Sequence, residues 1–127
     1  MYTVDISNNA DIIDSRDIIG RIAELEAERE SSETPLAFDS EPSGKELAAL
    51  KALAEQGEDV CIDWQHGETL IRDSYFEQYA QELAEDIGAI QPNLSWPYTC
   101  IDWKLAARDL QFDYSALEFD GVTYWAR

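Results

Sequence analysis

The stretch "YSALEFDGVTYWAR" at the C-terminus consists of two alternating apolar and polar runs joined by Asp120-Gly121. Asp-Gly accommodates the positive φ values of the tight turn whose twist matches its flanking strands, so this is the strongest short-range hairpin signal a sequence offers. It commits the chain to an antiparallel sheet. Short β segments are expected at "YTVDI" near the start and at "DVCIDW", where they would extend that sheet.

The rest reads as helix. In "SRDIIGRIAELEAERE", residues 15 to 30, Ile18, Ile22 and Leu25 share one stripe, with Glu24 and Glu28 away from it. Asp14 or Ser15 caps this helix, and Asp17 favours its positive end. "SSETPLAFDSEP" breaks the period with Ser and Pro and is expected to be a loop. Ser43 and Glu46 then have the spacing of a capping box, followed by Leu47, Leu50 and Ala54 at helical intervals, with Gly57 as the stop. These two helices are expected to form an antiparallel hairpin packed on the remainder.

A third helix, about Asp73 to Ile87, carries Phe76, Tyr79, Ala80, Leu83 and Ile87 on one face and Glu77, Gln81, Glu82 and Glu85 on the other, with Gly88 ending it. The loop "QPNLSWP" leads to a fourth helix, "WKLAARDL", for which Asp102 is the natural N-cap. The class expected is α+β, helix-rich, with an N-terminal helical hairpin and a small antiparallel sheet ending in a C-terminal β-hairpin. At 127 residues the chain suits a single domain. Within it, residues 1–57 form the helical hairpin segment and 58–127 the α+β segment.

Charge narrows the partners. Asp and Glu number 27 against 9 Lys and Arg, a net of -18. Such a field repels nucleic acid and anionic lipid and attracts basic protein surfaces. Direct nucleic-acid or membrane binding is therefore not expected, and neither is disorder, since 45% of the residues are hydrophobic. No 18-residue apolar run occurs, and "MYTVDISNNADIID" lacks a basic segment followed by an apolar one, so a cytoplasmic location in a bacterial host cell is expected. The two cysteines are expected to be reduced thiols.

Enzymatic chemistry finds few donors. His66 is the sole histidine, which excludes multi-histidine metal sites. Cys61 with His66 lacks a surrounding nucleophile motif, and neither cysteine belongs to a C-x-x-C. "DISNNADIIDSR" imitates a calcium loop at Asp5, Ser7 and Asn9, but Ala10 replaces the turn glycine and Arg16 stands where the bidentate Glu is needed. No catalytic residue, cofactor or metal is expected. "CIDW" occurs twice, at Cys61–Trp64 and Cys100–Trp103, with unlike flanks, and is assigned to the fold. Cys and Ile are expected to finish an extended segment in each copy. Asp63 should cap a turn and Asp102 a helix, with both tryptophans on the core.

The acids, taken together, suggest a purpose. They are spread through the chain rather than gathered in a tail, which favours a charged folded surface. Carboxylates at i, i+3 and i+4 on a helix lie about 5–6 Å apart at Cβ, comparable with phosphate spacing along one DNA strand. The words "YFEQYAQELAEDIGAI", "WPYTCIDWKLAARDL" and "DYSALEFDGVTYWAR" resemble the C-terminal region of ArdA-type antirestriction proteins of phages and plasmids, over residues 75 to 127. The chain is shorter than typical members of that family.

The resemblance implies a non-enzymatic DNA mimic that occupies the DNA-binding groove of type I restriction-modification enzymes, and it implies a homodimer. Its target would be the basic DNA-binding surface of that or another defence complex. The acids expected to carry binding are Glu24, Glu28, Glu77, Glu82, Glu85, Asp86, Asp109, Asp113 and Glu118. The alternatives are an anti-CRISPR-type inhibitor acting by the same electrostatics, or a protein–protein interaction module of a phage or mobile element that binds through apolar contacts. A small carboxylate-based hydrolase or metal-dependent enzyme is a third.

Overall fold

The computed structural model describes residues 6–90 and 95–127. The expected hairpin is present: β3 (Ser115–Phe119) and β4 (Val122–Ala126) pair antiparallel around a two-residue loop. Asp120 and Gly121 take φ values of 49° and 83°, the left-handed conformations such a turn demands.

The other two strands are β1 (Ile12–Asp14) and β2 (Thr69–Arg72), which give the antiparallel order β1-β2-β4-β3. Most of "YTVDI" lies outside the described residues, and "DVCIDW" supplies neither strand. Of the former only Ile6 lies within the described residues, and it is buried in the core. The latter runs from helix into a turn, because the preceding helix continues through Val60. β2 escaped the period-2 test because it is an inner strand. Leu70 and Ile71 are both fully buried, on opposite faces, so the run is continuously apolar.

Cross-strand register divides the sheet into two faces. One bears the row Ile12–Ile71–Trp125–Ala116, and the other bears Ile13, Leu70, Leu117 and Tyr124. Helices α1 (Ser15–Ser31), α2 (Pro35–Ser40) and α3 (Pro42–Val60) share a core with the second face, through Ile18, Leu25, Phe38, Leu47, Leu50, Leu53 and Ala54. Helices α4 (Phe76–Asp86) and α5 (Trp103–Gln111) cover the first. Phe76, Ala80 and Ala107 pack there with Ile71, Trp125 and an edge-to-face contact between Phe76 and Tyr114. Three layers result, with the sheet between two helical layers.

Several details differ from the sequence expectations. The loop expected after α1 contains α2, started by Pro35 at its first turn and held by Phe38 in the core. The capping box does not form: α3 begins two residues earlier, at Pro42 with Glu41 as its N-cap, and the Glu46 carboxylate instead receives the Arg21 guanidinium at 2.8 and 3.0 Å. Gly57 does not end α3, which runs on to Val60. It is buried where the helix meets Trp64, and a Cβ there would lie 2.2 Å from the indole ring.

In α4, Ile87 falls outside the helix and is 70% exposed, because the chain turns away at Gly88 (φ 76°). Asp14 and Asp102 do act as N-caps, accepting from the backbone N–H groups of Arg16 and Leu105. In CIDW the expected extended ending is reduced to a single residue before the turn or cap, Cys61 in the first copy and Ile101 in the second. Cys61 caps α3, Ile62 is fully exposed, and Cys100 closes a 3-10 turn, Tyr98–Cys100. Asp63 serves its turn by its main-chain carbonyl, which accepts from the N–H groups of His66 and Gly67. Trp64 is buried in the core, whereas Trp103 is only half-buried at the start of α5.

Candidate functional site

The acids of α4 gather on one face by helical geometry. With Phe76 and Ala80 turned to the sheet, about 100° per residue places Glu82 and Glu85 on the opposite side, with Glu77 and Asp86 at its two margins. Glu82 is held there by the Tyr75 hydroxyl, which donates at 2.9–3.0 Å, and by Gln78 at 3.2 Å. That bond to the carboxylate pushes the Tyr75 phenol above its ordinary range. No side-chain hydrogen bond or ion pair within the described residues engages Glu77, Glu85 or Asp86.

The remaining expected acids lie in different places. Asp109 is exposed on α5 and Asp113 on the turn after it, neither of them ion-paired. Glu118 is exposed on β3, and its carboxylate accepts from the Thr123 hydroxyl at 2.8 Å. These seven residues lie on the α4–α5 layer and on the β3 edge of the sheet. Glu24 and Glu28 stand apart on α1, in the other helical layer, and Glu24 is bound to Arg21 at 3.0 Å.

Ion pairing separates the two halves. Among the described residues the pairs are Arg16–Asp14, Arg21–Glu24, Arg21–Glu46, Arg29–Asp39 and Lys51–Glu26, all within residues 14–51. From Asp73 to the C-terminus there are ten acids against three bases, and among the described residues none of them is in an ion pair. The density of α4 is also informative. Glu77 to Asp86 spans about 14 Å of helix axis with four carboxylates, an average separation of about 4.5 Å against the ~3.4 Å per phosphate of one DNA strand.

Sequence reasoning missed a second group. Glu55, Glu58 and Asp59 are exposed on the last turns of α3, and a helix stopping at Gly57 leaves Glu58 and Asp59 outside it. The interval from Leu50 through Leu53 and Ala54 to Gly57 was the available signal. Neither α3 nor α4 has a basic residue in its last turn, and acids at that end oppose the helix dipole, typically by about 0.3–1 kcal/mol each. Helix stability does not account for their placement.

Other chemistry finds little purchase. Cys61 is buried, and desolvation with the nearby Glu68 carboxylate pushes its thiol up to about 11, so it is held protonated. Among the described residues no group of three or more His, Cys, Asp or Glu is placed to hold a metal ion. A groove of about 460 Å³ between α1, α2 and α3 is lined by Glu26, Arg29, Asp39 and Lys51, whose charges are already paired with one another. Among the same residues no helix is long and apolar enough to cross a membrane. No family model matches the chain, and neither a curated protein nor a solved structure matches it at a significant level.

Proposed function

We propose that this chain is a non-enzymatic inhibitor whose acidic surface takes the place of DNA in the basic groove of a bacterial defence enzyme, a type I restriction-modification complex first of all. The observation that carries the reading is the set of acids from Asp73 onward, none of them ion-paired among the described residues, with the α4 face at its centre, while four of the five cations of residues 14–51, Arg16, Arg21, Arg29 and Lys51, are held in internal pairs. Unpaired carboxylates on a well-packed helix are pre-organised for Lys and Arg, and the net charge of -18 speeds association with a basic groove.

The words that resemble antirestriction proteins run through α4, α5 and the β3–β4 hairpin, that is, through the acidic helical layer and the sheet beneath it. Affinity would be collective rather than centred on one residue, and it would fall steeply with salt as ions compete for both surfaces. The test is capture from a bacterial lysate at low and high salt, with duplex DNA as competitor. Salt-sensitive, DNA-competed capture of a nuclease or restriction complex supports the reading; capture that DNA does not affect overturns it.

A further inference from the structure

The two helical layers are held to the sheet by unequal cores. On one side α1 and α3 bury Ile18, Leu25, Leu47, Leu50 and Leu53, with Phe38 of α2 among them. On the other, α4 and α5 fully bury Phe76, Ala80 and Ala107 alone, while Tyr79 and Leu110 are half-buried. Two of those three buried side chains are single methyl groups. Charge follows the same division. Arg21 joins Glu24 to Glu46 of α3, Arg29 meets Asp39 of α2, and Lys51 meets Glu26, so ion pairs tie α1 to both of its neighbours. In α4 there is no base, and Glu82 has like charges three and four residues on, at Glu85 and Asp86. α5 repeats the arrangement with opposite sign, Lys104 standing four residues before Arg108. Like charges at these spacings destabilise a helix, and acids at the C-terminal end of α4 also oppose its dipole. Lys104 and Arg108 share a groove with Asp73 and Glu77 but lie outside ion-pair distance of both.

We infer that α4 and α5 open together as one unit while the sheet and α1–α3 stay folded, and that cations gathered by the acidic face close them. The part of a fold that opens first is the one with the least buried apolar surface. Here that part also carries the unrelieved repulsion. Phe76 and Ala107 belong to one buried cluster, so displacing either helix uncovers the anchor of the other. The closed layer, with its acids set for Lys and Arg, is the main state and the open layer a minor one. Salt then acts on the two layers with opposite sign: screening relieves the repulsion within α4 and α5, and weakens the pairs among α1, α2 and α3. A polyamine closes the layer at far lower concentration than sodium, because one molecule meets several carboxylates at once. The inference rests on packing and charge and goes beyond the inhibitor reading, for which it makes the order of the acidic face depend on the charge it meets.

The test is native-state hydrogen exchange of the full chain, read amide by amide by NMR, which needs no target and so separates this inference from the proposed function. Amides of α4 and α5 are expected to exchange through a shared opening, roughly tenfold or more faster than those of α1 and α3. Raising sodium chloride from about 10 mM to about 1 M shortens the screening length from about 30 Å to about 3 Å, and should slow exchange in α4 and α5 but not in α1 and α3. Spermine at a small fraction of that concentration should slow the same two helices selectively. Glu82→Gln with Glu85→Gln and Asp86→Asn removes the like charges without any cation. It should raise protection in α5, which carries no substitution, as well as in α4, and blunt the salt response. Equal protection in the two layers would overturn the inference. So would exchange in α4 and α5 that salt or spermine leaves unchanged or speeds, or a gain from neutralisation confined to α4.

Discussion

Replacing Gly57 by Ala tests how α3 is seated. In an exposed helix interior the change would be favourable by about 1 kcal/mol, because Ala has the higher helix propensity. Here a Cβ would lie 2.2 Å from Cζ3, 2.3 Å from Cε3 and 2.7 Å from Cη2 of Trp64, inside any tolerable contact. The indole has no easy retreat. It is 1% exposed, and its residue is pinned by the Ser15 hydroxyl, which donates to the Trp64 carbonyl at 2.7 Å while accepting from the Glu68 N–H. Overpacking a closed site costs about 1–3 kcal/mol, so after the helix gain a net loss of up to about 2 kcal/mol is expected. Urea unfolding followed by CD and by tryptophan fluorescence would measure it. Repeating Gly57→Ala in a Trp64→Leu background should remove most of the penalty, since the two positions are then uncoupled. A stabilised Gly57→Ala protein, or a penalty unchanged in that background, would refute the packing argument.

Reversing Glu77, Glu82, Glu85 and Asp86 together to Lys should abolish inhibition and target capture, whereas each single reversal should do little; full activity of the fourfold variant, in an inhibition assay with CD to verify folding, counts against the mimic. Asp102→Ala should lower stability by about 1 kcal/mol by removing the N-cap of α5, with Asp102→Ser recovering most of it in urea unfolding. Exposed Cys100 should react with a thiol reagent at mildly alkaline pH while buried Cys61 reacts only after denaturant is added. Because the folded pKa of Cys61 is raised to about 11, its share of stability is present below the ordinary thiol range near 8.5 and is lost as pH rises towards 11. The urea midpoint should therefore decline between pH 9 and pH 11, where the raised phenols of Tyr114 and Tyr124 act in the same direction.

Features written in a few adjacent residues could be read directly. The Asp120-Gly121 turn, the caps at Asp14 and Asp102 and the stripes of α1 and α4 each depend on backbone preference or on one helical period. α2 could not be read this way. It is a single short stretch whose one anchor, Phe38, makes sense only against α3. β1 and β2 were hidden because their pairing crosses more than fifty residues, as Ile13 opposite Leu70 illustrates, and because an inner strand lacks alternation.

The candidate site divides along the same line. Sequence alone determined the acid excess, its spread along the chain and the acidic half of α4, since these follow from composition and a 100° step. Tertiary structure decided which acids remain available. Glu24 is neutralised by Arg21, which also reaches Glu46 across to α3, and Glu118 and Glu82 are held by neighbours. It also decided that Gly57 is a contact and not a stop, which places Glu58 and Asp59 on the same helix as Glu55. Long side chains choose partners through space, and a glycine can either end a helix or admit an indole, so the choice is made only when the layers come together.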